Sequence, residues 1–212
     1  MMNLKGILKG TKYWRRYWKN RQDIDWSSAY MTPDHPHRQF FIDKLRQFQF
    51  RSILEVGCAA GANIYKIKQN FPTVDVGGID WNSAAIETAK KYLPISAVLQ
   101  VGEATDVYIS DKGADMIISD MCYIYLDKRN FIKALKEAKR VARNGVIFCE
   151  FHHSSWFMRK LLKITTGYNA YNYLKELKRL EFSDIEITKI REKDWPGGEP
   201  QKTYGYYITA RT

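Results

Sequence analysis

Glu55, Gly57, Gly61 and Asp80 are the residues whose types and spacing first suggest chemistry. In RSILEVGCAAGANIYKI, residues 51–67, an apolar run ends at Gly57 and a helical pattern begins beyond Gly61, with Glu55 two residues ahead of the first glycine. A glycine turn between a strand and a helix lets a ligand approach bare backbone. This one lacks the GxGxxG spacing that seats a pyrophosphate on a helix N-terminus, and the chain has no Gly-Lys-Ser/Thr phosphate loop. The Glu55 carboxylate would repel a diphosphate but attract a cationic amine. The turn reads as built for a nucleoside with a cationic tail.

Further candidates lie at the same edge. His152 and His153 follow the apolar run GVIFCEF, and a histidine there could take a proton from an incoming hydroxyl or amine; a satisfied structural histidine is the competing reading. Trp195, in REKDWPGGEPQK, could cover a flat or apolar substrate, and Tyr123 follows Asp120-Met121-Cys122. His35 and His37 form an HxH pair without acidic partners in register, so no metal site is expected.

Those residues must be positioned by elements, and periodicity supplies them. SILEV (52–56), VDVGGID (74–80), SAVLQV (96–101), ADMIIS (114–119) and GVIFCEF (145–151) read as strands, with helices from about Gly61, over NSAAIETAKKYLP with Asn82 or Ser83 as N-cap, and between Leu126 and Ala142, ended by Asn144-Gly145. Alternation of this kind implies a parallel sheet covered on both faces. A helix near 169–180 then leads to SDIEITKI and TYGYYITAR, two strands with no helix between them, expected to pair antiparallel. The predicted fold is α/β, a Rossmann-like seven-stranded, mostly parallel sheet with helices on both faces and an antiparallel C-terminal hairpin. Residues 51–212 form that domain, and residues 1–50 an aromatic, basic helical lid.

Composition bounds the partners. The chain has 212 residues and a formal charge of +11, with 10 Lys/Arg against 4 Asp/Glu in residues 1–50, 6 against 9 in 51–120 and 18 against 10 in 121–212. Basic flanks can attract nucleic acid or anionic surfaces, and a solvated lysine-rich surface explains them as well. The segment MMNLKGILKGTKYWRRYWKNR has no apolar stretch of secretory-signal type, and no run suits a transmembrane helix. Three unpaired cysteines, Cys58, Cys122 and Cys149, fit a reducing, cytoplasmic setting. Trp14, Tyr17 and Trp18 fall on one helical stripe among basic residues, readable as a lid, an RNA-stacking surface or an interfacial helix.

ILEVGCAAGANI resembles the first motif of class I S-adenosylmethionine-dependent methyltransferases, in their small single-domain type 11/25-like form, and later landmarks keep the family's order. Asp80, 19 residues beyond Gly61, resembles the acid that takes the ribose hydroxyls; VLQVGEATDV resembles the third motif, with Glu103 where an acid meets the adenine amine; ADMIISDMCYIYLD resembles the fourth, with Asp120 at the strand's mouth. The resemblance spans about residues 35–212. It implies S-adenosyl-L-methionine as cofactor, held by Glu55, Gly57, Cys58, Ala59, Gly61, Asp80, Trp81, Glu103, Ala104 and Asp120, with Tyr30 and Arg38 added from the lid. Three departures stand out: Ala59 replaces the middle glycine, Asn144-Gly145 stands for Pro-Gly-Gly, and Glu181 takes a common glycine position before Phe182. The run after strand four lacks the prolines of adenine-amine methyltransferases, and Cys122 lacks the proline neighbour of cytosine-C5 enzymes.

The expected activity is methyl transfer to an oxygen or nitrogen of a small acceptor, with Asp120, His152 and His153 as catalytic candidates, Tyr123 and Trp195 on the substrate, and a monomer or homodimer as the assembly. Alternatives are an RNA or protein methyltransferase using the basic flanks and a non-catalytic nucleoside-binding partner subunit.

Overall fold

Alternate residues of the central strands face opposite sides, and both sides are apolar. In β1 (Ser52–Val56) Leu54 and Val56 pack into one core while Ile53 packs into the other; in β4 (Ala114–Asp120) Ile117 is divided in the same way from Met116 and Ile118. A sheet so patterned must be covered on both faces. The structure, a computed structural model, describes residues 9–212; residues 1–8, the start of the segment read against a secretory signal, lie outside them.

With β2 (Asp75–Asp80), β3 (Val98–Val101), β5 (Ala142–Phe151), β6 (Ser183–Lys189) and β7 (Gly205–Arg211), the sheet has seven strands in the order β3-β2-β1-β4-β5-β7-β6. Strands β1 to β5 pair parallel, and β7 enters antiparallel between β5 and β6. The predicted fold is the one observed. One core lies under α6 (Lys128–Val141), whose Phe131, Ala134, Leu135, Ala138 and Val141 form a buried stripe at helical spacing. The other lies beneath α3 (His37–Leu45), α4 (Ala62–Asn70) and α5 (Ser83–Tyr92).

Local chemistry fixes the ends of these helices. The Asn82 side chain accepts from the Ala85 N–H at 3.0 Å as the N-cap of α5, and α4 stops before Pro72. The Asn144-Gly145 pair does not end α6. The helix ends at Val141, β5 starts at the extended Ala142, and a Cβ on Gly145 would sit 2.5 Å from the Ala210 carbonyl. That glycine serves the close approach of β7. Two helices escaped the periodicity. α7 (Trp156–Thr166) is bracketed by Ser155 and the left-handed Gly167, and the short α9 (Glu199–Tyr204) lies between β6 and β7, where no helix was expected. The helix expected near 169–180 is α8 (Tyr173–Arg179).

The N-terminal segment forms a roof. α1 (Thr11–Lys19) turns Trp14 inward, 5.0 Å from Tyr125 and 5.4 Å from Tyr168 between ring centroids. In α2 (Trp26–Tyr30) Trp26 is buried against Ala60 and Ala85. Of the aromatic stripe, Trp14 is buried and Trp18 faces a cavity, so these two serve packing, while Tyr17 stays exposed.

Candidate active site

The turn after β1 is held open by backbone that only small residues tolerate. Gly57 and Gly61 are left-handed (φ 79° and 84°), and a Cβ on Gly57 would lie 2.5 Å from Cys122 Sγ. Ala59 is left-handed too (φ 46°), as is Glu181 (φ 57°). Two of the three sequence departures thus fall where glycine would relieve strain. Asp80 secures the turn: its carboxylate accepts from the Ala59 N–H at 3.0 Å and the Asn82 N–H at 2.9 Å. Burial pushes the Asp80 carboxyl up, against the backbone N–H groups of Asn82, Ala59 and Trp81.

Three carboxylates converge on this turn from the ends of β1, β2 and β4. Glu55 is fully buried and accepts from Asn63 Nδ2 at 2.7 Å, while its Oε2 meets no partner among the described residues. Burial pushes its carboxyl up to about 8, opposed by the Asn63 hydrogen bond and reinforced by Asp120. Asp120 Oδ2 accepts from His37 Nε2 at 2.7 Å, Asn63 Nδ2 at 3.0 Å and an Arg38 guanidinium N–H at 3.3 Å. Burial alone would raise Asp120, but His37, Arg38 and Asn63 outweigh it and hold the group ionised, well below the usual carboxylate range. Its Oδ1 is buried without a partner among the described residues.

These groups line a cavity of about 430 Å³ that runs from the glycine turn to Phe151, Trp195 and Gln201. Trp18, Trp26 and Tyr30 roof it. Every residue assigned above to the cofactor lines it except Gly61 and Glu103. Glu103 is turned to the surface, where it pairs with Arg15 of α1. Trp195 reaches the cavity, its ring stacked on His37 with centroids 4.0 Å apart.

Three candidates do not reach it. Tyr123 is buried in the core against Phe131 and Phe148. His152 accepts from the Tyr173 N–H at 3.1 Å, and His153 from the Ser155 N–H at 3.0 Å; neither lines the cavity. Burial, with His153 and Arg159 nearby, lowers the His152 imidazole to about 4. These histidines pin α8 and α7 to the end of β5, and the structure corrects their reading as catalytic groups.

Sequence reasoning missed three participants. Asn63 bridges Glu55 and Asp120 from the first turn of α4. His37 is set against Asp120 by the start of α3, visible in the sequence only as half of an HxH pair. Glu150, buried and pushed up to about 8, accepts from Ser119 Oγ and the N–H groups of Cys122, Tyr123 and Ile124, and so shapes the turn after β4. Burial pushes the Cys122 thiol up, an inert group under the turn. Among the described residues no His/Cys/Asp/Glu group could hold a metal ion, and no helix is long and apolar enough to cross a membrane.

The glycine turn, the carboxylates closing β1, β2 and β4 and the β3-β2-β1-β4-β5-β7-β6 order form the arrangement that the resemblance to class I S-adenosylmethionine-dependent methyltransferases implies. Residues 53–145 match the methyltransferase domain family. The chain is 35% identical over 91 residues to malonyl-[acyl-carrier protein] O-methyltransferase 1 of Ilyobacter polytropus; the match takes in 40% of this chain and spans about a third, 34%, of that relative's length. Its fold is similar to that of the PH0226 protein of Pyrococcus horikoshii OT3 (TM-score 0.67, 16% identity, 92% of this chain and 98% of that one). It is also similar to the plantazolicin methyltransferase BpumL, solved with a triazolic desmethylPZN analog and SAH (TM-score 0.65, 14% identity, 98% and 97%).

Proposed function

We propose that this chain transfers the methyl group of S-adenosyl-L-methionine to an oxygen or nitrogen of a small acceptor. One observation carries the reading: one roofed cavity is lined both by Glu55, Gly57 and Asp80 at the glycine turn and by His35, Phe151 and Trp195. The orphaned Glu55 Oε2 and Asp120 Oδ1 suit the amine of an amino-acid tail, and the Gly57 turn leaves no room for a side chain of its own. The residues present therefore fit the cofactor, with Asp80 for the ribose, Trp81 and Ala104 beside the base, and Glu55, Asp120 and Arg38 at the amino-acid end.

The bound cofactor supplies a methyl group on a sulfonium, whose departure leaves a neutral thioether. The protein then has to align the acceptor atom and keep water out. The roof of Trp18, Trp26 and Tyr30 excludes water, and Trp195 with Phe151 orients an apolar acceptor. At about 430 Å³ the cavity sits toward the lower end of ligand pockets, which favours a small acceptor, or the exposed end of a larger one, over folded RNA.

Calorimetric titration with S-adenosylhomocysteine, with NAD as control, tests the reading. Micromolar binding of the first alone, weakened at least about tenfold in Asp80→Ala, is the expected result. Binding of neither by folded protein would overturn it. Release of S-adenosylhomocysteine in a screen of small hydroxy, carboxy and amino acceptors would then identify the substrate class.

A further inference from the structure

We propose that the outer face of α7, with the basic flank of α1 beside it, is a docking surface for an anionic lipid bilayer. The inference is independent of the methyl-transfer reading, because Trp156, Phe157 and Leu161 lie outside the cavity.

The helix is apolar on both sides. On its inner side Met158 and Leu162 join Ile124, Phe151 and Tyr168 in one cluster. On its outer side Trp156 is 65% exposed, Phe157 64% and Leu161 39%. Positions 156, 157, 160 and 161 stand at i, i+1, i+4 and i+5, so they share one face over two turns. Lys160, exposed among them, sits over the Trp156 ring with Nζ 5.0 Å from its centroid. Apolar side chains grouped on a surface and rimmed by charge mark a place of contact, because burial removes that area from water.

The charge around this face has one sign. Between Glu150 and Glu176 the chain carries Arg159, Lys160, Lys163 and Lys175 and no acidic residue. Residues 9–22 carry Lys or Arg at 9, 12, 15, 16, 19 and 21, again without an acid. The two segments adjoin. Trp14 Nε1 donates to the Gly167 carbonyl at 3.3 Å, and Lys163 Nζ donates to the carbonyls of Lys9 and Gly167. Arg15 pairs with Glu103 and Arg21 with Asp23, but Lys12, Arg16, Lys19 and Lys160 are exposed and form no ion pair among the described residues.

These observations favour lipid over other partners. Aromatic rings on one helix face with lysines beside them suit the headgroup boundary, where the rings enter and the lysine stems reach anionic groups. A second set of exposed apolar residues, Ile95, Val98, Val101 and Tyr108, gives the contrast: residues 92–111 hold Glu103, Asp106 and Asp111 and no Lys or Arg. An anionic surface repels that end and attracts the α7 face. Nucleic acid is less well served, since Lys160 covers Trp156 and Leu161 offers no ring for a base to stack on. No helix among the described residues is long and apolar enough to cross a membrane, so the contact lies at the interface. Ile124, Phe151 and Tyr168 also line the cavity, and the helix that meets the bilayer therefore supports the cavity wall from outside.

Vesicle flotation of the full chain tests the proposal, with phosphatidylglycerol and phosphatidylcholine in equal parts against phosphatidylcholine alone. Binding to the mixed vesicles only, weakening as salt is raised, is the expected result. Lys160→Glu is expected to weaken it by about fivefold or more, and Phe157→Ser by about tenfold or more. Both positions are exposed, so melting temperature and S-adenosylhomocysteine affinity are expected to stay unchanged in both variants. Brominated lipid should quench tryptophan fluorescence in wild type and quench it less in Trp156→Phe, which keeps an apolar ring. No flotation by folded protein, flotation that both variants leave unchanged, or quenching that Trp156→Phe leaves unchanged overturns the proposal. Binding of polyuridine RNA without flotation also overturns it and assigns the face to nucleic acid. Protein that floats but fails to bind S-adenosylhomocysteine sinks the methyl-transfer reading alone.

Discussion

Binding of S-adenosylhomocysteine should expel a proton from Glu55. With its carboxyl pushed up to about 8, Glu55 is roughly nine-tenths protonated at pH 7 in the empty protein. An ammonium beside the orphaned Oε2 favours the carboxylate, so binding at pH 7 should release up to about 0.9 proton from this group. Calorimetry in phosphate and in Tris, whose ionisation enthalpies differ, counts the protons. In Glu55→Gln the release from this group should vanish, and affinity should fall by about 10- to 100-fold, the worth of a hydrogen bond to a charged group. The same substitution has a stability signature in the ligand-free state. The raised carboxyl destabilises the fold only once the unfolded chain ionises, so the penalty is absent below about pH 4.5 and grows through about pH 8. Relative to wild type, Glu55→Gln should gain stability across that window, by at most about 5 kcal/mol. Equal proton release by wild type and Glu55→Gln would refute the assignment of the amine to this carboxylate.

Two further outcomes follow from the turn and the roof. Ala59→Gly and Glu181→Gly should each leave stability unchanged or raise it by about 0.5–1 kcal/mol, because relief of the left-handed backbone outweighs the entropy of an added glycine; urea denaturation measures it, and a loss above about 1 kcal/mol would contradict the strain. Trp14→Ala should free α1 from Tyr125 and Tyr168, so that limited proteolysis cuts within residues 12–21 while the sheet keeps its melting temperature within a few degrees.

The sheet was legible because its strands are short apolar runs separated by helical stripes, and those patterns follow directly from burial on two faces. Asp80 and Glu55 were legible for a related reason, since each closes a strand at the edge where such sheets bind ligands. His37 was hidden because its partner, Asp120, lies 83 positions away, and nothing local distinguishes a histidine that will meet a carboxylate from one that will not. His152 and His153 misled because they follow a strand end, yet neither lines the cavity, and Nδ1 of each accepts from a backbone N–H of an element that arrives later in the chain. Glu103 misled in a different way. Its position along the chain suits an adenine contact, but Arg15, from a segment the motif says nothing about, draws it outward. α7 offered a readable signal, Ser155 before it and Gly167 after it.

The roof also sets an order of events during synthesis. Trp14 Nε1 donates to the carbonyl of Gly167, 153 positions later, and Thr11 hydrogen-bonds Asp127, 116 positions later. At roughly 5–20 residues per second on the ribosome, the first of these partners emerges about 8–30 s after the tryptophan. The α1 segment therefore completes its docking only after Gly167 has been made, with β6 and β7 still to follow. Until Gly167 has been made, the hydrogen bond that holds Trp14 over Tyr125 and Tyr168 cannot form, and the segment that roofs the cavity has to wait for it.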